Sequence, residues 1–199
     1  MPTFKEVQYY LSGLWLLIRM DARGFQYLDT TDRGMLRSFW AIFWSLPPIG
    51  ISWLWLQQAY LMAMPPETST GFAFFLRLAL VEAASWLMPP ILAGLLLLLF
   101  RFGDKFAPIV ATVNWFFVPA NYLNALLFAL IIFVPGAKVL AGFLSLALTM
   151  AIIFSLARIL RMICGTYPLF IGTLTLLLLI PNLLLTDFLQ RFLGIYPPG

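Results

Sequence analysis

Leu78–Phe100 reads LALVEAASWLMPPILAGLLLLLF, and Glu82 is its one ionisable side chain. As a helix rising about 1.5 Å per residue, this run exceeds the roughly 30 Å of a bilayer's hydrocarbon layer. Four further apolar blocks follow the same pattern: Leu36–Ala63, Phe106–Val134, Val139–Ala157 and Leu169–Leu189. A soluble core cannot enclose five such helices in a chain of 199 residues. The runs predict an all-α, polytopic bundle of five transmembrane helices (residues 36–199), preceded by a cytoplasmic or interfacial segment (residues 1–35).

Composition agrees. Hydrophobic residues make up 62% of the chain and charged residues 10%, against about 25% charged in soluble domains. The net charge of +4 comes from Lys and Arg residues placed at span ends and in loops, with no basic run interleaved with aromatics. Nucleic acid is therefore not an expected partner. The chain has no histidine and one cysteine, Cys164. These absences remove Ser-His-Asp and Cys-His nucleophile systems, His-ligated haem, the usual zinc sites and an intrachain disulfide. There is no paired-carboxylate site, phosphate loop, CxxC or HExxH motif, so no catalytic residue, metal or cofactor is expected. Leu11–Ile18 is too short, and too closely followed by Arg19, Asp21 and Arg23, to be a cleavable signal.

Phe4, Val7, Leu11, Leu14 and Ile18 recur at steps of three and four, with Tyr10, Trp15 and Leu17 broadening the stripe. The period predicts an amphipathic helix over Phe4–Ile18. Such a helix can lie in the membrane interface or pack on the protein's own surface. Asp29-Thr30-Thr31-Asp32 offers a helix cap before the first span. Nine of the twelve Lys and Arg residues (Lys5, Arg19, Arg23, Arg33, Arg37, Arg101, Lys105, Arg158 and Arg161) fall on one side of a five-span topology. Only Arg77, Lys138 and Arg191 fall on the other. Positive residues favour the cytoplasm, which predicts an N-terminus inside and a C-terminus outside. Trp40, Trp44, Trp53, Trp55, Tyr60, Trp115, Tyr122, Tyr167 and Tyr196 are expected at membrane interfaces.

Polar groups within the spans are few. Glu82 lies deep in the hydrocarbon if the second span begins near Phe72, and near the interface if it begins near Leu78. Arg77, five residues earlier, is about 140° away around a helix and is not a natural partner. Asn114, Asn121 and Asn124 share a broad face of the third span, and Asn182 follows Pro181 in the fifth. Amides in lipid need partners, so these residues are expected to face the bundle interior. They read either as interhelical glue or as a substrate pathway. Pro47-Pro48 and Pro89-Pro90 should kink their spans. They can line a shared cavity, as in transporters, or mark packing helices. Ala137, Ala141 and Ser145, then Ala147, Ala151 and Ser155, recur every four residues, which predicts the fourth span as the one most in contact with protein. Cys164 reads as an inert buried thiol or a juxtamembrane acylation site.

The succession Asp21-Ala22-Arg23-Gly24-Phe25, a charged pre-span region, Phe102-Gly103-Asp104-Lys105-Phe106 and the run Ala107–Pro119 resembles the bacterial branch of the YIP (Ypt-interacting protein) family. The resemblance implies five tightly spaced spans in a bacterial cytoplasmic (inner) membrane and a membrane-organising or adaptor role. The favoured expectation is a non-enzymatic scaffold or accessory subunit whose partners are the lipid bilayer and a membrane protein or a second copy of the chain. The alternative is a small transporter or channel built on Glu82, the asparagine face and the proline-broken helices. A continuous polar cavity joining Glu82 to Asn114 and Asn121 would favour the alternative.

Overall fold

The structure, a computed structural model, describes residues 1–197; the end of the chain at Gly199, expected outside the membrane, lies beyond the described residues. The helices run in the order α1 (Phe4–Ile18), a 3-10 turn (Ala22–Tyr27), α2 (Asp32–Ser38), α3 (Ala41–Ala63), α4 (Phe72–Leu99), α5 (Phe106–Phe133), α6 (Lys138–Cys164) and α7 (Pro168–Phe192). Five helical segments are long and apolar enough to cross a membrane, with α2 and α3 joined in the first of them. Large apolar side chains project outward from all five, among them Leu54, Leu95, Leu126, Phe143 and Leu183. That is the exterior of a membrane protein, for which lipid is the matching solvent.

Span ends differ from the expected ones where polar residues are tolerated inside helices. α4 begins six residues before Leu78, taking Arg77 into its second turn. α6 runs past Ala157 to Cys164 and carries Arg158 and Arg161 with it. Thr31 caps α2 by accepting from the Gly34 amide, as the Asp29–Asp32 run predicts. Both proline pairs sit inside their helices, α3 and α4.

α5 is the axis of the bundle. Nearly all of Ala107–Ala120 is buried, and α5 packs against α1, α2, α3, α4 and α6. This corrects the expectation for the fourth span: α6 is the least buried of the five, and Ser145, Ala147 and Ala151 of its small-residue rows are exposed. Small residues permit close approach but attract nothing by themselves. What anchors α6 is Leu156, Ile159 and Leu160 near its end. Trp115 is likewise not interfacial. It is 3% exposed and packs 4.7 Å, ring to ring, from Tyr10 of α1. Trp55 stacks on Phe128 across α3 and α5.

Two apolar clusters hold the two ends of the bundle. The larger joins the α1 layer to the late turns of α4 and α6 and the early turns of α5 and α7. The smaller joins Leu56, Phe74, Leu78, Val81 and Ile195 at the opposite end. Between them lies the polar middle described below.

α1 spans the predicted Phe4–Ile18, fixed at its start by a capping box in which Thr3 and Glu6 exchange hydrogen bonds. Of its two possible placements it takes the packed one: Val7, Leu14 and Leu17 are buried against the bundle, while Phe4, Tyr9 and Trp15 face outward. Gly13 and Gly24 let α1 and the 3-10 turn touch backbone to backbone; a Cβ on Gly24 would run into the Gly13 carbonyl and the Leu17 side chain. Arg37 of α2 donates to Glu6 at 3.1 Å. The Thr3 amide first, and Arg37 second, hold Glu6 below the usual carboxylate range. The tie from α1 to α2 is thus present at neutral pH and is lost as pH falls through that lowered value.

Two outcomes follow for this layer. Single cysteines at Gln8 and Ser12, in a Cys164→Ser background, should react quickly with a water-soluble maleimide, and those at Val7 and Leu14 slowly; equal rates would contradict a packed α1. Gly24→Ala should destabilise the protein by about 1–3 kcal/mol in detergent-based unfolding, because backbone rather than a flexible side chain is in the way. An unchanged midpoint would contradict the close approach.

Candidate functional site

In α4, Glu82, Ser85, Trp86 and Pro89 follow steps of three and four and therefore share one face. In α7, Asn182, Thr186 and Gln190 do the same at steps of four. In α5, Asn114 and Asn121 are seven apart and superpose. These faces converge on a cavity of about 90 Å³ lined by Glu82, Ser85, Trp86, Pro89, Val113, Asn114, Phe117, Asn121 and Asn182. A second cavity of about 280 Å³ shares Glu82, Ser85 and Asn182 and continues past Ser52, Thr186 and Gln190 toward the Ile195 end.

With α4 starting at Phe72, Glu82 takes the deeper of its two expected positions, about 5 Å from the helix midpoint. Asn121 and Asn182 are as close to the midpoints of α5 and α7, and Asn114 is about 8 Å away. All four lie near the middle of helices that are long and apolar enough to cross a membrane.

The hydrogen bonds are sparse. Trp86 Nε1 donates to Glu82 Oε1 at 3.0 Å, within α4. Ser85 and Thr186 hydroxyls meet at 3.0 Å and tie α4 to α7. Asn114 Nδ2 donates to Ser38 Oγ at 2.9 Å, and Ser38 in turn donates to the Met35 carbonyl at 2.6 Å. That bond joins the deep end of the cavity to α2. Asn182 Oδ1 is buried and accepts from no group among the described residues. Among the described residues no Lys or Arg pairs with Glu82. Pro89 and Pro90 bring no N–H to the carbonyls of Ser85 and Trp86, two residues that line the cavity. The arrangement is rich in oxygen acceptors and carries one carboxyl group.

Two of the expected site residues fall outside. Arg77 is exposed and donates to the Leu193 carbonyl at 2.9 Å, at the far end of the bundle. Asn124 does not line the cavity; ten residues after Asn114, it is turned about 80° from it and lies about 15 Å further along α5. The two proline pairs do not share a cavity either, since only Pro89 reaches this one. Cys164 is buried at 4% exposure, which takes away its use as an acylation site. Ser85, Thr186, Ser38 and Trp86 were not anticipated. For the first two the signal was their spacing from Glu82 and Asn182.

The Asn114–Ser38 bond should show as a coupling. Asn114→Leu and Ser38→Ala should each destabilise the protein, and the double variant should cost less than their sum by about 0.6–2 kcal/mol, read from unfolding in detergent. Strict additivity would mean that the two side chains do not meet.

No family model, no curated protein and no solved structure matches this chain.

Proposed function

We propose that this integral membrane protein is a small transporter or channel whose working centre is the cavity around Glu82, and that it handles protons or monovalent cations. One observation carries this reading. Helices α4, α5 and α7 bring a carboxyl group without a cationic partner together with three amides in a single cavity, deep in the bundle.

The physical reason is charge balance. Placing a carboxylate at mid-membrane costs about 2.5–3.5 kcal/mol on insertion scales, and among the described residues one indole N–H is the only hydrogen-bond donor to Glu82. A proton or a bound cation supplies the missing balance. One carboxylate balances one positive charge, which favours monovalent over divalent ions. Volume narrows the class further. A cavity of about 90 Å³ holds a few waters at roughly 30 Å³ each, or an ion with part of its hydration shell. The acceptors nearby (Asn182 Oδ1 and the carbonyls of Ser85 and Trp86) suit a hard cation.

The scaffold or accessory role, which the YIP-like layout implies, gives this cavity no task. In the orientation we propose, the α1 end faces the cytoplasm of a bacterium. Its support is that nine of the twelve Lys and Arg residues cluster at that end of the bundle. The cavity then continues toward the extracytoplasmic side, while the larger apolar cluster and the α2 layer close its inner end.

The test is flux in liposomes holding the purified chain and a pH-sensitive or cation-sensitive dye. Glu82→Gln should lower the flux by at least about tenfold, and Asn124→Leu, outside the cavity, should leave it near wild type. Flux that is absent in the wild type, or that Glu82→Gln leaves unchanged, would overturn the reading in favour of the scaffold.

A further inference from the structure

Away from the Glu82 cavity, a groove of about 520 Å³ opens between the last turns of α6 and the start of α7. Phe154, Ala157 and Ile171 give it apolar walls, and Arg158, Arg161 and Thr166 line its polar end. The two arginines are three apart on one helix and thus neighbours on its surface. Among the described residues neither forms an ion pair or a side-chain hydrogen bond. Asp104, an acid at the same end of the bundle, is taken by Lys105 at 2.8 Å.

We propose that this groove is a binding site for one anionic phospholipid. Its headgroup phosphate sits against Arg158 and Arg161, and an acyl chain runs down the groove beside α6. Three features support this occupant. The charge is complementary: two exposed guanidiniums without an acidic partner match one phosphodiester. Thr166, just before α7, and Pro168, its first residue, line the same end; Pro168 brings no N–H, but α7 has no side-chain cap, which leaves the Leu169 and Phe170 amides without a capping side chain. The groove also leads onto the barest surface of the protein. Phe143, Leu146, Met150 and Phe154 of α6 are exposed, and a Cβ built on Gly172, on the groove's other wall, meets nothing within 4 Å. An acyl chain fills such a surface, and a soluble anion does not.

The site is independent of the Glu82 reading and is tested separately. The purified full-length protein in a zwitterionic detergent is given phosphatidylglycerol, phosphatidylcholine or inorganic phosphate. Bound lipid is counted by native mass spectrometry, and the unfolding midpoint is followed. Phosphatidylglycerol should be retained and should raise the midpoint. The double substitution Arg158→Gln/Arg161→Gln should weaken its retention at least about tenfold. Gly172→Phe, which fills the groove and leaves every charge in place, should do the same, whereas Glu82→Gln should not. Equal retention of phosphatidylcholine would overturn the charge argument. Equal stabilisation by inorganic phosphate would make the site one for a free anion and overturn the lipid assignment. Retention that survives both the arginine substitutions and Gly172→Phe would place the lipid elsewhere.

Discussion

Polar side chains inside hydrocarbon have no solvent to turn to, and that constraint orders this bundle. Glu82, Asn114, Asn121 and Asn182 belong to three helices that are otherwise mostly apolar. Apolar faces are equally content against lipid or protein, so hydropathy alone does not choose how the helices turn. The polar stripes do choose. They bring α4, α5 and α7 together around one cavity, and the Ser85–Thr186 and Asn114–Ser38 bonds hold its two sides. The buried Thr175 hydroxyl instead bonds its own helix, donating to the Ile171 carbonyl at 2.7 Å.

The two apolar clusters make that polar middle tolerable. One seals the α1 end with Leu14, Leu17, Val113 and Phe116; the other draws Ile195 under Leu78 and Val81. The second cavity, which shares Glu82 with the first, continues past Thr186 and Gln190 toward that second cluster. A polar centre that continues toward one end of the bundle is the feature on which the proposed ion-handling role rests. Packing alone requires none of it.

Much of the architecture was legible from run length and period. Five spans follow from block length, and the limits of α1 follow from its apolar stripe; the Thr3–Glu6 capping box that fixes its start emerges only in the structure. The depth of Glu82 was open until the start of α4 was known, because Arg77 sits as readily inside a helix as before one. The prominence of α6 was misjudged because small residues every four positions measure how closely a neighbour can come, not whether one does. The burial of Trp115 was missed because α1 folds back over α5 and turns a place near a span end into an interior one. At the site, the asparagines stood out as polar residues in apolar runs. Ser85 and Thr186, small and common in membrane helices, did so only once their spacing from Glu82 and Asn182 was read together.

The account rests on the polar faces of α4 and α7 meeting within one molecule, and a pair of engineered cysteines tests this directly. In a Cys164→Ser background, Ser85→Cys and Thr186→Cys replace hydroxyls that lie 3.0 Å apart. Mild oxidation of intact membranes should join them within one chain and protect both thiols from a polymer-linked maleimide. An Asn124→Cys/Thr186→Cys pair should stay reduced. Failure of the first pair to close, or equal closure of both, would contradict the convergence on which the proposed site depends.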